Sequence, residues 1–243
     1  MIIHVRNFSK RLMARIMLFT FGTILSIFLF ISAFIGFLII AKYVFLDNKQ
    51  EFDIYAFQFL HSHISENTTS LMLLASTLGN YQVMIAANIL LTCFFFFIVK
   101  HKWYSITIPS TALGSVIIMS LLKLWFNRPR PLTPLLEPAQ GLSFPSGHAM
   151  TSVTFFGLLI FFVWKKQQNI PLRLAIITPL IILILIIGLS RVYLRVHYAS
   201  DVLAGFAAGV LWLTLSVTAL RRIEKYTGKE IRAIEQARLS ETQ

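Results

Sequence analysis

Residues 16–41, IMLFTFGTILSIFLFISAFIGFLIIA, run for 26 positions without an Asp, Glu, Lys or Arg. A hydrocarbon core about 30 Å thick is crossed by about 20 apolar helical residues, so this stretch reads as a membrane-crossing helix. Five more uncharged runs follow: Tyr81 to Val99, Trp103 to Leu122, Ala149 to Trp164, Leu174 to Ser190 and Val202 to Leu220. The fourth and fifth of the six are short and reach full span by extending into flanking Ser, Gly and aromatic residues. The expected fold is all-α: a polytopic membrane protein with a bundle of six transmembrane helices, residues 1–243 forming one membrane-embedded domain. Composition agrees, with 56% hydrophobic and 13% charged residues, against about a quarter charged in ordinary soluble domains. The first run exceeds a signal-peptide core, and Ala41-Lys42-Tyr43-Val44-Phe45-Leu46 lacks a small-x-small cleavage pattern, so this helix is expected to be retained.

The net charge of +12 raises nucleic acid as a partner, but its distribution excludes that class. Fifteen of the 22 Lys and Arg fall in alternate segments: Arg6, Lys10, Arg11 and Arg15; Lys100 and Lys102; Lys165, Lys166 and Arg173; Arg221, Arg222, Lys225, Lys229, Arg232 and Arg238. By the positive-inside rule these segments are cytoplasmic, as are the N-terminus (residues 1–15) and the tail (221–243). In the tail, Ile223, Ile231 and Ile234 make a weak apolar stripe on a solvated helix. Cys93 is the only cysteine, which rules out an intrachain disulfide and a cysteine metal site.

The connections 42–80, 123–148 and 191–201 are then extracytoplasmic, and they hold the unusual residues. In 42–80, acidic Asp47, Glu51, Asp53 and Glu66 alternate with Phe52, Ile54, Tyr55, Phe57, Phe59, Leu60 and Ile64. That mixture suits either a helix in the headgroup layer or a packed cap over the bundle. Ser65 and Asn67 are candidate caps for a short helix over Leu71 to Leu78, and Gly79-Asn80 punctuates the chain before the second span.

Lys123, at the end of the third span, begins Lys123-Leu124-Trp125-Phe126-Asn127-Arg128-Pro129-Arg130-Pro131, a set of cations beside a proline-stiffened segment. Such cations either grip an anion or snorkel to the interface. Phe144-Pro145-Ser146-Gly147-His148 precedes the fourth span, where backbone N–H groups at a helix start favour phosphate oxygens. Ser190-Arg191-Val192-Tyr193-Leu194-Arg195-Val196-His197-Tyr198-Ala199-Ser200-Asp201 leads into the last span. If helical, it puts His197 and Asp201, four residues apart, on one face, so that the carboxylate keeps one imidazole nitrogen protonated and the other free for attack. An N-cap aspartate with a neighbouring histidine is an equally plausible reading of this segment alone. Topology weighs against coincidence: two crossings separate His148 from His197, so all three segments meet at one membrane face.

In order, these segments read Lys-x6-Arg-Pro, Pro-Ser-Gly-His and Ser-Arg-x5-His-x3-Asp. The pattern resembles the three-part signature of the type 2 phosphatidic acid phosphatase superfamily, which includes lipid phosphate phosphatases and shares its phosphate site with vanadium haloperoxidases. The resemblance covers the third span through the last and departs at no signature position. It implies that Lys123, Arg130, Arg191, Ser146 and the Gly147 N–H bind phosphoryl oxygens. His197 would be the nucleophile oriented by Asp201, and His148 the proton donor to the leaving lipid oxygen. Arg128 and Arg195 fall outside the signature and are expected to make headgroup or surface contacts. The implied protein is a metal-independent, cofactor-free lipid phosphatase of a bacterial plasma membrane, with its active site at the extracytoplasmic face. Undecaprenyl diphosphate, phosphatidylglycerophosphate and phosphatidic acid are its candidate substrates. A lipid phosphotransferase of the same superfamily is the alternative within enzymes, and a transporter or structural membrane protein the alternative outside them.

Overall fold

The structure, a computed structural model, describes residues 2–136 and 139–241, and the side chains of 22–136, 139–224 and 226. The basic side chains expected before residue 22, those at Lys225, Lys229, Arg232 and Arg238, and the stripe at Ile231 and Ile234 lie outside the described side chains. Eight α-helices carry the described chain: α1 (Ile2–Ala41), α2 (Glu51–His61), α3 (Glu66–Leu78), α4 (Tyr81–Cys93), α5 (Lys102–Phe126), α6 (Gly147–Lys166), α7 (Ile170–Tyr193) and α8 (Ala199–Glu241). Single π-helical turns, Lys42–Leu46 and Phe94–Ile98, prolong α1 and α4. Six stretches are long and apolar enough to cross a membrane: Gly22–Leu46, Tyr81–Ile98, Lys102–Phe126, Gly147–Lys166, Ile170–Tyr193 and Ala199–Glu224. The two short runs do lengthen into their flanks, as expected.

Large apolar side chains cover the outside of the bundle, among them Ile24, Phe28, Ile39, Ile89, Leu113 and Leu185. A water-soluble protein does not display apolar surface on that scale, whereas hydrocarbon solvates it at no cost. The bundle is organised around α6, half of whose apolar window is buried. With lipid outside, close backbone approach supplies the packing, and α8 provides it with Gly205 and Gly209, four residues apart. A Cβ at Gly205 would stand 2.6 Å from the Ser146 carbonyl oxygen, and one at Gly209 2.8 Å from Val153 Cβ. This contact seats the start of α8 against the start of α6, where Ser146 N donates to the Asp201 carbonyl at 2.9 Å. At the other end, Lys165 donates to Glu224 Oε2 (2.8 Å) and to the Tyr104 hydroxyl (2.5 Å), tying α6, α8 and α5 together.

The connections over the first end are built structures. Asn127 takes a left-handed conformation (φ 46°) and closes α5 with its N–H on the Lys123 carbonyl at 2.9 Å. Pro129 and Pro131 then keep the chain extended. Phe144 is fully buried and packs with Phe37, Phe45 and Phe126, anchoring the segment ahead of α6. In the 42–80 connection, Ser65 caps α3 by accepting from Thr68 N at 3.2 Å, and Gly79-Asn80 separates α3 from α4. Asn67 lies inside α3, which begins at Glu66, earlier than the Leu71 expected from the apolar run.

Candidate active site

The three signature segments converge at one end of the bundle. Lys123, Arg130, Gly147, His148, Arg191 and His197 all line the head of one cavity of about 770 Å³. Each is positioned by a different piece of local structure. Lys123 sits in the last turn of α5 and donates to the carbonyls of Leu142 and Ser143. Arg130, on the extended segment, donates through Nε to Gly141 O (3.0 Å) and through Nη1 to Val196 O (2.8 Å). Arg191, in the last turn of α7, reaches Ser76 Oγ on α3.

His148 lies in the first turn of α6, packed so closely against Gly79 that a Cβ there would stand 2.9 Å from its Cδ2. Gly147 is equally confined, since a Cβ on it would meet Met119 Sδ at 2.7 Å. Ser146 occupies the N-cap position of α6 without making a side-chain capping bond.

None of Lys123, Arg130 or Arg191 forms an ion pair among the described residues. Two of the polar atoms there, Ser146 Oγ and Arg191 Nε, are buried without a hydrogen-bond partner. Leaving such donors buried and unsatisfied costs about 1–3 kcal/mol each, which a cluster assembled only for stability would avoid.

His197 is 2% exposed, and its Nδ1 lies 3.5 Å from Asp201 Oδ2. It precedes α8 and does not share a helical face with Asp201; the expected proximity arises from the turn before the helix. Asp201 is not the N-cap of α8, which begins at Ala199; from the first turn it reaches back to accept from Tyr198 N at 2.9 Å. Arg130 Nη1 lies 3.2 Å from His197 Nε2. Because a guanidinium only donates, Nε2 must carry the lone pair and Nδ1 the proton that faces Asp201. Burial pushes the His197 imidazole down to about 4, although Asp201 acts in the opposite direction, so the ring is neutral at physiological pH. Burial also lowers Arg130 from its ordinary value.

Arg128 departs from expectation. It is not a headgroup or surface contact: it is 7% exposed, with Nη1 on Asp201 Oδ1 at 2.6 Å and Nη2 on Asp53 Oδ2 at 2.9 Å. Two buried carboxylates offset its desolvation, which snorkelling would otherwise have done. Arg195 remains outside the main cavity, beside a small cleft with His61 and Thr133. The sequence offers no site signal for Ser143, and it presents Asp53 only as one acid of the 42–80 connection. Ser143 Oγ donates to Asp201 Oδ2 and lies 3.4 Å from His197 Nδ1. The signal for Asp53 was its spacing with Phe57 and Leu60, which places an acid on the inward stripe of α2.

Below its polar head, the cavity is walled by apolar side chains of α4, α5 and α6, including Met84, Ile89, Ala112, Val116, Phe155 and Leu158. Ile85, Ile89, Leu113 and Val116 on this wall are each at least 45% exposed, so the groove between α4 and α5 is open rather than sealed.

Parts of known proteins are similar to this chain. The chain is 30% identical over 114 residues to phosphatidylglycerophosphatase B of Bacillus subtilis (strain 168), covering 46% of this chain and 56% of that protein. It is 38% identical over 97 residues to decaprenylphosphoryl-5-phosphoribose phosphatase of Mycobacterium tuberculosis, covering 38% and 48%. The chain thus spans about half the length of these relatives. The crystal structure of a transmembrane PAP2-type phosphatidylglycerolphosphate phosphatase from Bacillus subtilis superposes with a TM-score of 0.73 at 24% identity, over 79% of this chain and 96% of that one. Aquifex aeolicus LpxE superposes with a TM-score of 0.56 at 24% identity, over 68% and 94%. These structural likenesses concern the fold. Residues 104–225, half of the chain and the part that holds every signature residue, match the PAP2 superfamily, and the chain belongs to that family.

Proposed function

We propose that this chain is an integral membrane phosphatase that hydrolyses the terminal phosphate of a lipid phosphate or diphosphate by way of a phosphohistidine. The observation that carries the reading is the pairing, in one cavity, of a polar head holding two imidazoles and three cations without ion-pair partners among the described residues with a long, open apolar wall. The named relatives act on phosphate carried by phosphatidylglycerol and by a decaprenyl lipid, which supports a lipid substrate without choosing among them. The alternating basic segments favour an extracytoplasmic site and cytoplasmic termini.

In this scheme Lys123, Arg130, Arg191, Ser146 Oγ and the Gly147 N–H hold the phosphoryl oxygens. Charge that spreads over those oxygens in the transition state meets donors already in place. Binding draws the Arg130 N–H onto an oxygen and frees the His197 Nε2 lone pair, which attacks phosphorus. The P–O bond to the lipid breaks, and the departing oxygen takes a proton from His148. Nδ1–H on Asp201 stabilises the cationic ring so formed. Neutral His148 then accepts a proton from water as its oxygen attacks the phosphohistidine; phosphate leaves and both histidines return to their starting states.

The test is phosphate release by purified protein in detergent from phosphatidylglycerophosphate, phosphatidic acid and undecaprenyl diphosphate. His148→Ala and His197→Ala should each abolish most turnover while the protein stays monodisperse, and wild type should remain active in excess EDTA. Near-normal turnover in either variant, or loss in EDTA reversed by magnesium, refutes the scheme. Label passing from the lipid phosphate to a second lipid would identify a transferase.

A further inference from the structure

Arg128 and Asp53 lie behind the site, and neither lines the cavity. Arg128 Nη1 donates to Asp201 Oδ1 (2.6 Å) and Ser200 Oγ (2.8 Å), while Nη2 donates to Asp53 Oδ2 (2.9 Å). Asp53 Oδ1 accepts from Ser200 N (2.8 Å), Oδ2 also accepts from Ser200 Oγ (2.7 Å), and the Tyr198 ring lies 4.0 Å from the guanidinium carbon. Asp53 is 1% exposed and Asp201 fully buried, so water competes for none of these bonds.

A guanidinium frequently closes on a carboxylate with both arms. Here the second arm is taken by Asp53, and Arg128 grips Asp201 by Oδ1 alone. Oδ2 is thereby left to face Tyr198 N, Ser143 Oγ and His197 Nδ1. Asp53 comes from α2, an element with no part in the signature, and its grip on Ser200 N also joins α2 to the first turn of α8.

We infer that Arg128 and Asp53 are positioning residues for the phosphoryl transfer set out above, on which this inference rests. Arg128 fixes the rotation of the Asp201 carboxylate, and Asp53 prevents Arg128 from taking both of its oxygens. Replacing Asp53 by Asn keeps the shape but weakens the hold on the second arm. Arg128 then swings toward a two-armed grip and draws Oδ2 away from the imidazole. The nucleophile loses its orientation although no group that touches substrate has changed.

The experiment compares wild type, D53N, R128Q and H197A for phosphate release from a lipid phosphate in detergent, with the His197 ring nitrogens followed by 15N NMR in each histidine-bearing form. Displacement of a reacting group by about 1 Å costs about 100-fold, so kcat should fall by about that factor in R128Q and by about 10-fold in D53N, with KM unchanged. Both variants should also alter the His197 nitrogen shifts, which a purely structural role would leave alone. If R128Q does not fold, D53N decides. Wild-type kcat in D53N, or a loss of kcat with unaltered His197 resonances, overturns the inference. Full loss in H197A together with full activity in D53N and R128Q rejects the positioning role alone, whereas activity retained in H197A rejects the reaction on which it rests.

Discussion

Gly79→Ala tests the role of His148 without touching a signature residue. Gly79 has φ −87°, which alanine adopts freely, so the perturbation is purely steric. The new methyl would lie 2.5 Å from Ile187 Cγ2 and 2.9 Å from His148 Cδ2. Ordinary carbon contacts are about 3.5–4.0 Å, so the imidazole must retreat by roughly 0.6–1 Å. Ile187 is fully buried and has no room to absorb the strain. Overpacking of this kind costs about 1–3 kcal/mol of stability, and a misplacement near 1 Å costs about 10- to 100-fold in rate.

The assay compares two leaving groups. In the proposed scheme a lipid alkoxide needs the proton that His148 supplies, whereas p-nitrophenolate leaves unaided. Gly79→Ala should therefore depress turnover of a lipid phosphate much more than that of p-nitrophenyl phosphate. Gly36→Ala, with no atom within 4 Å of the added methyl, serves as the silent control. Equal losses on both substrates in the phosphorylation step, read as single-turnover release of the leaving group, or no loss on the lipid, would show that His148 does not protonate the leaving oxygen.

Three further outcomes follow from the geometry. Because burial lowers the His197 value from 6.5 to about 4, the unfolded chain takes up this proton first as the pH falls. Stability should thus be lost progressively through that window, the 15N titration of His197 should have its midpoint near the lower value, and a midpoint at the ordinary value would contradict the site. Ser146→Ala removes a buried hydroxyl without a partner, so the thermal midpoint should hold or rise while inhibition by inorganic phosphate weakens, by about 10-fold for one lost hydrogen bond to an anion. Unchanged phosphate inhibition would remove Ser146 from the binding set. Ala112→Phe should raise KM for a long-chain lipid phosphate and spare a short-chain soluble one, since Ala112 lines only the apolar wall; equal effects on both would detach that wall from lipid recognition.

The spans and the meeting of three distant segments were legible because hydrophobic run length and crossing parity act across the whole chain. Parity alone brings Lys123, His148 and His197 to one end. The burial of Arg128 depends on Asp53, some 75 residues earlier, and no local pattern announces a partner at that distance. Ser143, three residues before Ser146, looks like loop; its contact with Asp201 exists only once α8 has packed on α6. The helical reading of His197 and Asp201 reached the correct neighbours by the wrong route, since a turn spans the same distance.

If the proposed lipid phosphate enters through the open groove between α4 and α5, that groove alters what concentration means for this protein. A tail that slides in sideways never leaves hydrocarbon, so no desolvation or extraction step precedes capture, and bulk molarity ceases to be the governing variable. Occupancy would follow the mole fraction of the phosphorylated lipid in its leaflet. Diluting the bilayer with inert lipid should slow the reaction even when the total amount of protein and substrate in the tube is held constant.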